Sequence, residues 1–219
     1  HILRDVSFQI HDNEIVALLG RNGAGKSTLL KTVIGVAAPA SGSITLGDEA
    51  LARRPAAEIA RRGVAYVPQG RGLFAGMSVA ENIVLGAEPT RSGLPFIDRR
   101  AMERIAAEAL LLLGETLDLS APVRSLGLGR RQIVEIARAT SRKVRILALD
   151  EPTAALTDRE TLGLFRLIRR LKAEGAGIIY ISHRLDEVFE IADRVTILRD
   201  GAVVATAEAS ALDRKGMIR

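Results

Sequence analysis

Gly20-Arg21-Asn22-Gly23-Ala24-Gly25-Lys26-Ser27-Thr28 is the stretch on which the fold reading turns. It fits G-x-x-x-x-G-K-[ST], a loop whose backbone N–H groups cradle phosphate oxygens. Gly20, Gly23 and Gly25 let the backbone turn tightly and come close to a ligand. Lys26 can reach the β- and γ-phosphates, and the Ser27 hydroxyl can ligate Mg²⁺. Upstream, Ile15-Val16-Ala17-Leu18-Leu19 is an unbroken apolar run, which suits a strand buried on both faces. Downstream, Leu29, Leu30, Val33 and Ile34 recur at helical spacing, and Gly35 is placed to end that helix. The helix N-terminus then points at the phosphates and adds roughly half a positive charge. The candidate nucleotide contacts of this loop are Gly20, Asn22, Gly23, Ala24, Gly25, Lys26, Ser27 and Thr28.

Working outward, the chain of 219 residues is of a length for one domain with a subdomain, and 47% of it is apolar. Only 3% is aromatic and tryptophan is absent, so the core is aliphatic. There is no cysteine, which excludes a disulfide scaffold or a thiolate-held metal and is compatible with the cytosol. The net charge of +5 is modest and interspersed with acids, which does not point to nucleic acid. No apolar run approaches the ~20 residues of a membrane span, and no signal peptide is visible. His1 reads as a cut into a longer chain.

Val6, Phe8 and Ile10 alternate with polar neighbours, so Ile2 to Ile10 is expected as a half-buried strand. Short strands are expected at Ser43–Leu46 and Val64–Val67, with a short helix at Ala56–Arg61 opened by Pro55. From 77 to 142 helical patterns dominate. Asp98 is placed to cap a helix that turns Met102, Ile105, Ala106, Ala109 and Leu112 to one side, after a loop over Thr90–Pro95. Ile146-Leu147-Ala148-Leu149-Asp150-Glu151 is a buried strand ending in two acids. Thr157-x-x-Glu160 is a capping box, and the helix it opens turns Leu164, Phe165, Ile168 and Leu171 inward before Gly175. Ile178 to Ser182 is the next buried strand. Asp200-Gly201 between Val195–Leu198 and Val203–Ala205 is a hairpin signal. The pattern is α/β: a mostly parallel sheet of the P-loop NTPase type, with an antiparallel β edge and an inserted helical subdomain. Residues 1–76 and 143–219 form the core and 77–142 the insertion.

Ligands bind at the carboxyl ends of the strands in such sheets. Gly20, Gln69, Asp150 and His183 all stand at predicted strand ends. Asp150, after four apolar residues, suits a Mg²⁺-holding acid. Glu151 suits a general base for an attacking water. Gln69 can offer its amide oxygen to Mg²⁺ or water. His183 can donate to a γ-phosphate.

Together Gly20 to Thr28, Val67-Pro68-Gln69, Asp150-Glu151-Pro152-Thr153 and Ile181-Ser182-His183 resemble the ATPase subunits of ABC transporters, across essentially the whole chain. The resemblance implies ATP and Mg²⁺, with Ser27, Gln69 and Asp150 toward the metal, Glu151 as base and His183 as the switch histidine. It implies that Ala154 to Asp158 contacts a partner subunit. Val134 to Ala139 and Tyr180 to Asp193 are similar to the first half of monosaccharide or nucleoside importer ATPases, which carry two fused ABC halves. The implied partners are a second ABC half, membrane permease subunits and, indirectly, a solute-binding protein. The implied location is peripheral, on the cytoplasmic face of the inner membrane, with no nucleic acid involved. Val67 to Arg71 also resembles branched-chain amino-acid importers. A soluble ABC ATPase is a further alternative, although neither a coiled-coil insertion nor a charged linker is visible.

One motif departs from the family. Its signature reads Leu-Ser-x-Gly-Gln, whereas this chain has Leu126-Gly127-Leu128-Gly129-Arg130. The signature covers the ATP held by the opposite half, so Gly127 offers that site a backbone N–H without a hydroxyl. Arg130 brings a cation that either compensates or stands solvated. In the fused importers the second half commonly has an altered P-loop, and this signature would face that weaker site. The adenine-stacking aromatic of the family lies upstream of His1.

Overall fold

Ile15–Leu19 (β1) is buried along its whole length, as its unbroken apolar run requires. Leu18 packs with Leu29 and Leu30 of helix Lys26–Val33 (α1), and with Ile34 at its C-cap, on one face of the sheet. Ala17 and Leu19 pack with Val188 and Val195 on the other. Successive side chains of a strand point to opposite faces, so β1 sits at the middle of the three layers. The computed structural model describes residues 2–70, 72–91 and 96–212 of this chain.

These residues form two compact units, one of His1–Tyr66, Val144–Glu151 and Leu171–Arg219, the other of Val67–Lys143 and Pro152–Arg170. The first unit carries the sheet. Two short strands follow α1, Thr45–Leu46 (β2) and Glu49–Ala50 (β3), and they pair with each other antiparallel. Helix Ala56–Arg61 (α2) starts after Pro55 as expected. The remaining strands are Val64–Val67 (β4), Ile146–Asp150 (β5), Gly177–Ile181 (β6), Arg194–Arg199 (β7) and Ala202–Glu208 (β8). Their order is β4-β5-β6-β1-β7-β8 in a six-stranded sheet. β6 is parallel to both neighbours: Asp150 lies opposite Ile181, and Ala17 opposite Tyr180. β7 runs parallel to β1, with Leu19 opposite Ile197. β8 turns back antiparallel through Asp200 and Gly201, both at positive φ (51° and 82°), the backbone of a tight hairpin.

The expected strand over Ile2–Ile10 does not form; none of its residues joins a ladder. The alternation is nevertheless real, because Leu3, Val6, Phe8 and Ile10 pack on the core beneath α1. Asp5 at φ 45° breaks the extended run, and the segment is tied to the hairpin by the Arg4 N–H donating to the Gly201 carbonyl at 2.8 Å. A Cβ at position 201 would lie 1.8 Å from the Ile2 carbonyl oxygen, so glycine is needed there for the segment to pass.

The second unit is helical. Its helices are Val79–Val84 (α3), Arg99–Leu112 (α4) and Leu128–Thr140 (α5), which pack pairwise, and most of Asp158–Ala173 (α6). Asp98 caps α4 by accepting from the Ala101 N–H at 3.1 Å, and Met102, Ala106, Ala109 and Leu110 are its buried face. The loop expected over Thr90–Pro95 lies outside the described residues at 92–95. At the start of α6, Glu160 accepts from the Thr157 N–H at 2.7 Å and the Glu160 N–H returns to Thr157 Oγ1 at 3.4 Å, the expected capping box. Leu164, Phe165, Ile168 and Leu171 are all buried. Helix Leu185–Ile191 (α7), back in the first unit, joins β6 to β7.

Candidate functional site

The first unit places three sequence features on one edge of its sheet. β1, β5 and β6 are parallel neighbours, so Gly20, Asp150 and the Ser182-His183 pair all follow strand carboxyl ends there. α1 leaves β1 toward one face and α7 leaves β6 toward the other. Connections that part in this way open a crevice at the strand ends.

The loop from Gly20 to Gly25 has the backbone its glycines permit. A Cβ at Gly20 would sit 2.3 Å from the Leu198 carbonyl oxygen, so the strand must turn there without a side chain. Gly25 (φ 104°) caps α1 in the left-handed region, with no side-chain hydrogen bond closing the helix end. The Leu29 N–H is the first to find its helical carbonyl, on Gly25 at 2.8 Å. The N–H groups of Lys26, Ser27 and Thr28 are the donors a helix start leaves over, and they favour an anion. Lys26 Nζ donates to the carbonyls of Gly20 (2.7 Å) and Arg21 (3.2 Å), folded back over its own loop. Asn22 and Gly23 are exposed, and Ala24 is buried in the core.

Asp150 ends β5 with 4% of its surface exposed. The Tyr66 hydroxyl, from β4, donates to Asp150 Oδ2 at 3.3 Å. Burial, and after it the Asp150 charge, pushes the phenol well above its ordinary range, so it stays a donor. Glu151 adopts φ 49°, a left-handed backbone rare outside glycine, and its N–H donates to the Ile181 carbonyl at 2.9 Å. Such strain costs on the order of 1–3 kcal/mol and gathers at functional sites. It brings Glu151 Oε1 within 3.4 Å of His183 Nδ1. Ser27 and Asp150 are hard oxygen donors of the kind Mg²⁺ takes. Mg²⁺ is held by one or two carboxylates with phosphate and water, rather than by a protein cage.

Residues 3–154 match the family model described as ABC transporter. The chain belongs to the ABC transporter family. It is 49% identical over 214 residues to the ribose import ATP-binding protein RbsA 2 of Rubrobacter xylanophilus, covering 98% of this chain and 41% of that protein. It is 44% identical to the arabinose import ATP-binding protein AraG 2 of Burkholderia cenocepacia, covering 97% of this chain and 41% of the relative. The chain therefore spans less than half the length of these curated relatives. A solved ATP-binding subunit of an ABC transporter superposes with TM-score 0.83 at 31% identity, over all of this chain and 88% of the other.

The second unit holds Gln69, Gly127 and Gly129. Gly127 is the N-cap of α5, in extended backbone with no side-chain cap, and a Cβ there would meet nothing within 4 Å. Gly129 is different: its Cβ would lie 2.7 Å from the Ala155 carbonyl oxygen. That glycine is dictated by packing within the unit. Arg130 on α5 is in the same segment, as is the largely exposed Leu128.

Several residues of the second unit that hold the segment after Gln69 carry no motif. Three residues after Gln69, the Gly72 peptide is gripped at both ends by α5: its N–H donates to Glu135 Oε1 at 2.7 Å, and its carbonyl accepts from Arg138 Nη1 at 2.7 Å. Burial raises the Glu135 carboxyl above its ordinary range, against the bond from Gly72 and the Arg138 charge. Asn82, fully buried, accepts from the Phe74 N–H at 2.8 Å and donates to the Phe74 carbonyl at 3.1 Å. Polar residues inside α3 and α5, where helical spacing calls for apolar ones, were the available signal.

Proposed function

We propose that this chain binds ATP at Gly20–Thr28 and hydrolyses it, as the first ABC half of an ATPase that drives sugar import through a membrane permease. The observation that supports it best is the pairing of a left-handed Glu151 with His183 at the sheet edge where the phosphate loop also ends. ATP would draw Lys26 Nζ from the Gly20 and Arg21 carbonyls to its β- and γ-phosphates. Ser27, Asp150 and Gln69 would hold Mg²⁺, which neutralises phosphate charge when bound. Glu151 takes a proton from water as the water oxygen bonds to the γ-phosphorus. The bond to the β-phosphate oxygen breaks, giving ADP and phosphate. His183 donates to a γ-phosphate oxygen.

The sugar reading rests on relatives named for ribose and arabinose import. Their greater length leaves room for the second ABC half, whose signature would cover this P-loop. Residues 77–142 would carry the permease contact, with 69–76 linking it to the site and a solute-binding protein acting beyond the permease. The chain would then lie on the cytoplasmic face of the membrane; no described helix is long and apolar enough to cross it.

Glu151→Gln keeps the shape and removes the base. It should retain ATP affinity and cut hydrolysis by at least about a hundredfold. Lys26→Ala should weaken ATP binding itself. Binding by fluorescent nucleotide titration and turnover by phosphate release separate the two. A Glu151→Gln loss under about tenfold would rule that residue out as the base.

A further inference from the structure

His183 has a side chain 70% exposed, so packing does little to fix its ring. Its backbone must do the placing, and the residues on both sides of it are held by one buried carboxylate. Glu187, on α7 and 5% exposed, accepts at Oε2 from the Ser182 hydroxyl (2.8 Å) and from the Tyr180 hydroxyl (2.8 Å). Its Oε1 lies 2.7 Å from Arg184 Nη1. Ser182 Oγ in turn accepts from the Arg184 N–H at 3.0 Å, closing a short loop with His183 at its tip.

We infer that Glu187 is a positioning residue, whose buried carboxylate holds Ser182 and Arg184 so that His183 stands beside Glu151. The chemistry of the cluster is consistent throughout. Tyr180 is fully buried and Ser182 nearly so, and each hydroxyl needs an acceptor there. The carboxylate of Glu187 is the acceptor that both hydroxyls find, at one oxygen. Glu187 also stands in the first turn of α7, where the helix favours negative charge. Its neighbours Val188 and Ile191 are buried, so this position belongs to the inward face, where a plain β6–α7 contact would take an aliphatic residue. Only a polar acceptor ties the strand end, the loop and the helix together around His183.

The inference rests on the proposed role of His183, so His183→Ala is the reference in its test. Ser182→Ala, Glu187→Leu and Glu187→Gln are compared with it in the full chain. The readouts are kcat and KM for ATP and the imidazole NMR signals. The sequence holds three histidines, and the signal lost in His183→Ala identifies the one of interest. Ser182→Ala and Glu187→Leu should lower kcat by about tenfold or more with KM changed less than about threefold. In both, the His183 signal should move while that of His11 stays. Glu187→Gln keeps an acceptor oxygen and should recover most of what Glu187→Leu loses. If His183→Ala is inactive while Ser182→Ala retains kcat and the native His183 signal, the positioning inference is overturned and the site reading stands. If His183→Ala is fully active, both fall. Should Glu187→Leu fail to fold, Ser182→Ala, which deletes a single oxygen, decides.

Discussion

At the scale of single residues, the two glycines of the signature segment look alike in sequence and differ in physics. Gly129 is confined by the Ala155 carbonyl 2.7 Å from where a Cβ would go. Gly129→Ala gains helix propensity but must push backbone aside, and overpacking costs roughly 1–3 kcal/mol. Gly127 stands in open space at φ −67° and ψ 165°, a backbone suited to a helix cap. Gly127→Ser should therefore fit and stabilise α5 by a few tenths of a kcal/mol. Urea unfolding of the two variants should move the midpoint in opposite directions, down for Gly129→Ala and slightly up for Gly127→Ser. The same contrast separates the glycine that the fold requires from the one at which only function could have asked for serine.

At the scale of elements, the capping box of α6 gives a clean test. Thr157 is exposed, so a substitution there removes the cap and little packing. Thr157→Ala should cost about 1 kcal/mol. For a domain of this size that lowers Tm by roughly 2–4 °C, measurable by calorimetry. This element was legible from four letters because its cause is local. The same holds for α2 behind Pro55, for α4 behind Asp98, and for the hairpin at Asp200-Gly201. Over Ile2–Ile10 no strand forms, because alternation reports which side chains are covered, not whether a ladder forms. Here core residues cover one side, and no strand pairs along the edge. β3 escaped notice because Glu49-Ala50 is two exposed residues with no pattern to read. The site divides in the same way. The phosphate loop, Asp150, Glu151 and His183 announce themselves at strand ends. Tyr66 and Glu187 do not, since what they do depends on residues brought to them by the sheet: Asp150 from 84 positions away for Tyr66, and the end of β6 for Glu187.

At the scale of the molecule, the proposed reaction needs more than this chain. It supplies Lys26, Asp150 and Glu151 on one side of the ATP, and the resemblance to fused importers implies that another half covers the γ-phosphate. The signature here would face the second half's P-loop, which in those importers is commonly altered. A signature without its serine would then be tolerable, because the missing hydroxyl would weaken a site that turns over poorly. Geometry does not oppose restoring it, since nothing crowds position 127. Any change in turnover therefore reports on catalysis and not on misfolding. In the intact protein Gly127→Ser should alter ATP turnover by less than about threefold, under ~1 kcal/mol of barrier. Lys26→Ala in the same protein should remove most of it. Turnover by phosphate release, with each variant's Tm as the folding control, decides the matter. A tenfold rise in Gly127→Ser would mean that the site facing this signature is competent, and that the two halves share the work evenly.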